Sequence, residues 1–279
     1  MKKLTLLIVI FALIGVDLAE AQSVTSQKLS YKLLESDVDK YVGFIGGGGG
    51  MFLGGATILG ISLEVRGQYD IPGLPLTAWF QGHRELVGVG HIDRGPLEYK
   101  AKPMELNGGV MLPIIPGKKK KDDVKIILES AGSYSSSYIS SYEKSFRPRG
   151  EVKTDLLAKV GLYSFSSSDA SNAGLTLGIT RRKREHAKVE VGDYIYDTHY
   201  DKQFYLDLIY TPITNLPEPG TDANGQVVPL DPATSFGARI GFQKLFYGTR
   251  SINYELSLRP YSDAYLFTLA VRYTFGIGL

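Results

Sequence analysis

The sequence predicts an all-β chain: a single antiparallel transmembrane β-barrel of about ten strands, with eight and twelve as the other even counts, behind a cleaved signal peptide. Three observations carry this reading. Large apolar residues alternate with small, polar or charged ones through segment after segment. No apolar run beyond the N-terminus approaches the ~20 residues a membrane helix needs. The composition is skewed to tyrosine and glycine, with 18 Tyr and 32 Gly among 279 residues.

The N-terminus reads as a targeting segment. Lys2 and Lys3 precede an apolar run from Leu4 to Val16, broken only by Thr5 and Gly15. Ala19-Glu20-Ala21 then supplies the small-residue pattern that signal peptidase cuts. The run is too short to span a bilayer of roughly 30 Å as a helix. The expected organisation is therefore a signal peptide over 1–21, a leader over 22–40 (a short helix or a disordered strap) and one barrel domain over 41–279.

Successive side chains of a strand point to opposite faces. Leu59, Ile61, Leu63 and Val65 alternate with Gly60, Ser62, Glu64 and Arg66. Leu156, Ala158, Val160 and Leu162 share a face, as do Leu175, Leu177 and Ile179. Phe204, Leu206, Leu208 and Tyr210 alternate with Tyr205, Asp207, Ile209 and Thr211. Phe236, Ala238, Ile240 and Phe242 alternate with Gly237, Arg239, Gly241 and Gln243. Ile252, Tyr254, Leu256 and Leu258 alternate with Asn253, Glu255, Ser257 and Arg259. The final strand sets Tyr265, Phe267, Leu269, Val271, Tyr273 and Phe275 against Thr268, Ala270, Arg272 and Thr274. Weaker strands are expected over 41–54, 75–84, 97–112 and 124–134, about eleven candidates in all, one more than an even barrel accepts. The surplus is expected within 97–134, where the period slips at Pro103 and Gly108-Gly109.

A soluble sheet alternates too, so the charges decide the orientation. The apolar face carries almost none, while the other mixes arginine with acids and glycine, which suits charges paired in a confined interior. Phe267, Leu269, Val271, Tyr273 and Phe275 are thus expected to face lipid. Asp207, Arg239, Glu255, Arg259 and Arg272 are expected to form a lumen-facing charged cluster, either a self-satisfied plug or the wall of a narrow solute path. Polar connectors are expected at Pro113–Asp123, Ser133–Gly150, Arg181–Lys202 and Pro212–Thr234.

With the leader peptide, the period-two strands and the ending YLFTLAVRYTFGIGL, the chain resembles bacterial outer-membrane β-barrel proteins. It is similar in particular to the small barrels of unassigned function exported by Bacteroidetes-type bacteria. The resemblance spans the mature chain as an architecture. It implies residence in the outer membrane of a Gram-negative cell, with the lipid bilayer and the barrel-assembly machinery as partners. That machinery typically reads a terminal aromatic residue; here the chain ends on Leu279, with Phe275 four positions earlier.

Other chemistry is thin. A formal charge of +2, from 31 basic and 29 acidic residues, makes no case for nucleic acid. Zero cysteines exclude disulfides, thiolate catalysis, cysteine-ligated metals and an acylated lipoprotein cysteine. No cofactor and no metal site is expected. Gly46–Gly50 lacks the Lys-Ser/Thr continuation of a phosphate loop and reads instead as a sharply curved or closely packed strand. Lys118–Lys121 reads as a solvated turn. His91 and His199 each lie two positions from an aspartate, the raw material of a general base. No F-x-H-x-S deacylase pattern is present. The resulting expectation is an integral outer-membrane barrel with a structural or surface-binding role through its loops, taking a surface ligand or small solute. A narrow passive channel, a membrane-embedded hydrolase and a soluble lipocalin-like carrier are the alternatives.

Overall fold

The computed structural model describes residues 30–54, 57–91, 104–134, 139–166, 171–215, 235–246, 250–260 and 265–279. The described residues contain no helix. Their strands are β1 (Lys32–Leu33), β2 (Gly43–Gly54), β3 (Thr57–Asp70), β4 (Thr77–His91), β5 (Met104–Ile115), β6 (Lys120–Asp123) and β7 (Ile126–Tyr134). They continue with β8 (Ile139–Phe146), β9 (Arg149–Ser166), β10 (Ser171–Val191), β11 (Tyr194–Asn215), β12 (Phe236–Phe246), β13 (Arg250–Pro260) and β14 (Tyr265–Gly278).

The chain divides into two compact units. The larger comprises Asp37–Lys120, Glu151–His186 and Thr198–Leu279. It is a closed antiparallel barrel of ten strands, in the order β2-β3-β4-β5-β9-β10-β11-β12-β13-β14. Pairing of β14 with β2, Arg272 opposite Gly50 and Thr274 opposite Gly48, closes the ring. Closure leaves no open edge. At the end where the barrel begins and finishes, Val42 N–H donates to the Leu279 carbonyl at 2.9 Å and Leu279 N–H to that of Gly43 at 2.8 Å. The tight β3–β4 turn lies at the same end, with Ile71 N–H on the Leu76 carbonyl at 2.8 Å.

The smaller unit contains the described parts of Met1–Ser36, Lys121–Gly150 and Ala187–Asp197. In it β7 and β8 form a hairpin, and β1 pairs with the end of β10, Lys32 opposite Glu190. Val124, Ile126, Ala187 and Val189 are its fully buried apolar residues.

The eleventh candidate strand is accounted for here. Residues 124–134 are β7, which pairs with β8 instead of joining the barrel. The leader, described from residue 30, contains β1 and no helix; the segment 1–21 lies outside the described residues. The polar stretch Arg181–Lys202 is a correction. It was expected to be a connector, but β10 and β11 run through it and turn only at Gly192-Asp193, with Gly192 at φ +59°. Arg182 and Arg184 continue the inward series Thr176, Gly178, Thr180, and counter-charges on other strands neutralise them. Likewise β8 lies within the expected connector Ser133–Gly150, and the ends of β5 and β6 lie within Pro113–Asp123.

The glycine run forms the middle of β2. Its inward members sit where neighbouring backbone comes closest: a Cβ on Gly48 would collide with the Tyr273 carbonyl oxygen, and one on Gly46 would lie 2.5 Å from that of Phe275. The outward Gly47 has room, its nearest neighbour the Glu64 carbonyl oxygen at 3.6 Å. Gly48→Ala should therefore destabilise the barrel by about 1–3 kcal/mol through overpacking. Gly47→Ala should be close to neutral. Denaturant unfolding of both variants under identical conditions checks the contrast.

Candidate functional site: the charged barrel interior

Alternation turns one face of every barrel strand inward, and that face is polar. On β11, Asp201, Gln203, Tyr205 and Asp207 are buried while Phe204, Leu206 and Leu208 are exposed. A buried charge needs a partner, because desolvation costs several kcal/mol per ion. The interior meets that demand in three groups.

In the first, Asp207 lies directly opposite Arg239 across β11–β12. Arg239 Nε donates to Asp207 Oδ2 at 2.6 Å, and Lys159 Nζ from β9 reaches the same oxygen at 2.9 Å. Arg239 also lies 3.6 Å from Glu105 on β5. The Lys159 ammonium sits 3.9 Å from the ring centre of Trp79, a cation–π contact. Glycine makes room for these groups: a Cβ on Gly178 would strike the Asp207 carboxylate, and one on Gly241 the Tyr205 ring.

The second group centres on Arg272. Its Nε donates to Glu64 at 3.2 Å, its Nη2 to Glu255 at 3.2 Å and its Nη1 to Asn253 at 3.1 Å. Tyr205 Oη donates to Glu255 at 2.9 Å and accepts from Asn253 at 3.0 Å. The third group lies toward the terminal end. Arg182 bridges Asp201 at 2.6 Å and Asp70 at 2.7 Å, and Gln68 also donates to Asp201, at 2.8 Å. Arg184 joins Asp155, Asp70 and Asp39.

A strap of residues 37–40 is tied to this end. Asp37 N–H donates to His186 Nδ1 at 2.6 Å and Val38 N–H to Glu151 at 3.0 Å. Lys119 contacts Asp37 at 2.8 Å and Asp39 at 3.0 Å. The Lys119 hydrogen bond holds the Asp37 carboxyl below its ordinary value. Burial pushes the Asp39 carboxyl up, but the Lys119 hydrogen bond and the charges of Arg184 and Lys153 outweigh it and hold this group low as well. Beside the strap, Asp39, Asp70, Lys153 and Arg184 line a vestibule of about 490 Å³.

Of the five charges expected in the lumen, Asp207 and Arg239 meet in one group and Glu255 and Arg272 in another. The side chain of Arg259 lies outside the described residues; its backbone pairs with Leu266. Phe267, Val271 and Phe275 are exposed on the outer face, with Leu269 and Tyr273 half-buried beside them. Lys159, Glu105, Asp201, Arg182 and Arg184 were missed as interior groups. Lys159 was legible, since it alternates with Ala158 and Val160, and Arg182 and Arg184 extend the inward series of β10. The imidazole of His91 and the residues Ile92 and Asp93 lie outside the described set. His199 stacks on His186 at 5.1 Å, while Asp201 is engaged by Arg182 and Gln68. Among the described residues no group of three His, Asp or Glu side chains is placed to hold a metal ion.

Comparison with known protein families, curated proteins and solved structures finds no match to this chain. The interior must therefore be read from its own chemistry. Each of Asp207, Asp201 and Arg272 is shared between at least two partners on different strands. Such a network cross-links the barrel wall from inside.

Two outcomes follow. Arg272→Met leaves the Glu64 and Glu255 carboxylates without their shared cation and should cost about 3–5 kcal/mol. Adding Glu64→Gln and Glu255→Gln should recover part of that loss in urea titrations. The strap carboxylates have lowered pKa values, so their contribution is present above the unfolded value near 3.8 and fades as pH falls below it. Hydrogen exchange, corrected for intrinsic rates, should show protection over residues 37–40 at pH 5 that declines progressively as pH is lowered below 3.8.

Proposed function

We propose that this chain is an integral outer-membrane β-barrel of a Gram-negative cell, delivered by a cleaved signal peptide. In this reading it serves a structural or surface-binding role through its connections. The observation that carries the reading is an inverted distribution of polarity. The barrel buries its charges and presents apolar side chains outward, with Leu162 70% and Leu208 63% exposed. Exposed apolar patches on soluble monomers rarely exceed a few hundred Å². A continuous apolar wall is suited to hydrocarbon.

The interior supports a closed wall more than a conduit. Asp207, Asp201, Arg239, Arg182 and Arg272 are engaged by groups on other strands, and the cavity among Arg66, Trp79 and Tyr205 measures about 30 Å³. A lipocalin-like carrier needs an apolar interior, which this barrel does not have. The connections 92–103 and 216–234 join strand ends opposite the terminal end, and long connections on a rigid scaffold are where binding roles concentrate. These segments are the candidates for contact with a surface ligand.

Val271→Arg tests the bilayer placement. Facing lipid, the arginine should lower folding stability in lipid vesicles by about 2–4 kcal/mol, depending on depth. Facing water, it should change stability by no more than about 0.5 kcal/mol. Unboiled protein should also migrate differently from boiled protein on a gel if the barrel stays closed in detergent.

A further inference from the structure

Around one small cavity of the barrel, three inward side chains carry N–H donors that no protein acceptor meets. They are Arg66 through Nη1 and Nη2, Trp79 through Nε1 and Gln81 through Nε2. Arg66 is 5% exposed, and Trp79 and Gln81 are each 8% exposed. Arg66 lies directly opposite Gln81 across β3–β4, with Trp79 two positions along the same strand. All three line the cavity of about 30 Å³, together with Lys159, Gln203 and Tyr205. Glu64, two positions from Arg66, gives its Oε1 to Arg272 and Ser62.

The geometry points to a binding site for a halide-sized monovalent anion, chloride in the cell, inside the barrel. A guanidinium stays protonated when buried and needs a counter-charge. Buried polar atoms without a protein partner call for a water or an ion. Water accepts hydrogen bonds but brings two hydrogens that need acceptors of their own, whereas these unmet groups are all donors. An anion accepts from all of them without bringing a donor of its own. The cavity admits one or two water-sized particles, which excludes phosphate and organic carboxylates. The site does not depend on what surrounds the barrel.

Trp79 is the chain's only tryptophan and so reports on the site directly. The full-length mature barrel in detergent should be titrated with sodium bromide against sodium gluconate at constant ionic strength. The expected result is saturable quenching of Trp79 emission, reversed by chloride. Arg66→Gln should weaken the apparent bromide affinity by about tenfold or more, and Gln81→Met by a smaller factor, with heat-modifiable gel mobility confirming that each variant folds. Crystals of the unaltered protein grown in bromide should show an anomalous peak within hydrogen-bonding distance of Arg66 and Trp79, whether or not the variants fold. Quenching that stays linear in bromide, saturable quenching that Arg66→Gln leaves unchanged, or a water in place of the anomalous peak would each overturn the site.

Discussion

Charges buried on the inward face of this barrel are costly unless paired, and most of them meet their partners from other strands. That constraint governs the rest of the structure. Asp207 is held by Arg239 from the adjacent strand and by Lys159 from a strand on its other side. Arg272 joins Glu64 and Glu255, so β3, β13 and β14 are tied at one level. Pairs of this kind add little net stability over an apolar core, but they punish any register that separates them. The contacts of Asp207 and Arg272 are all made together in the register that the closed barrel adopts.

The same constraint explains where glycine falls. A large polar group that crosses the interior needs space beside it. Gly178 supplies it next to Asp207, and Gly241 next to Tyr205. Gly46 and Gly48 serve a related need, because the inner side of a curved sheet brings backbones together at the β14–β2 closure.

The interior also links to its terminal end. Arg182 and Arg184 stand where the charged core meets the strap, and Asp39 and Asp70 receive them there. The strap is thus held by the same kind of contact as the core, in a setting that solvent reaches. Its contacts respond to pH through the lowered pKa values of Asp37 and Asp39.

Much of this was legible in the residue order. Alternation marked the strands around Leu59, Phe204, Phe236 and Phe267, and the charge-free face of each turned outward as the pattern required. The local signal failed at two places. Residues 124–134 read as one of the weaker barrel strands, yet they contain β7, which pairs with β8; local sequence states that a segment is a strand and not which neighbour it takes. Arg181–Lys202 has the charge density of a loop, because a linear reading cannot see that Asp70, Asp155 and Asp201 return from other strands to neutralise Arg182 and Arg184.

Residue order alone sets the strand period, the polarity of each face and the residue types available inside, since these depend only on neighbours along the chain. Tertiary structure alone decided the partners. Arg272 and Glu64 are 208 positions apart, and only the closing of β14 onto β2 brings them within hydrogen-bonding distance. The grouping of Arg66, Trp79 and Gln81 around one small cavity belongs to the same class of fact. Where side chains converge from separate strands, the register and curvature of the closed barrel decide what they can hold.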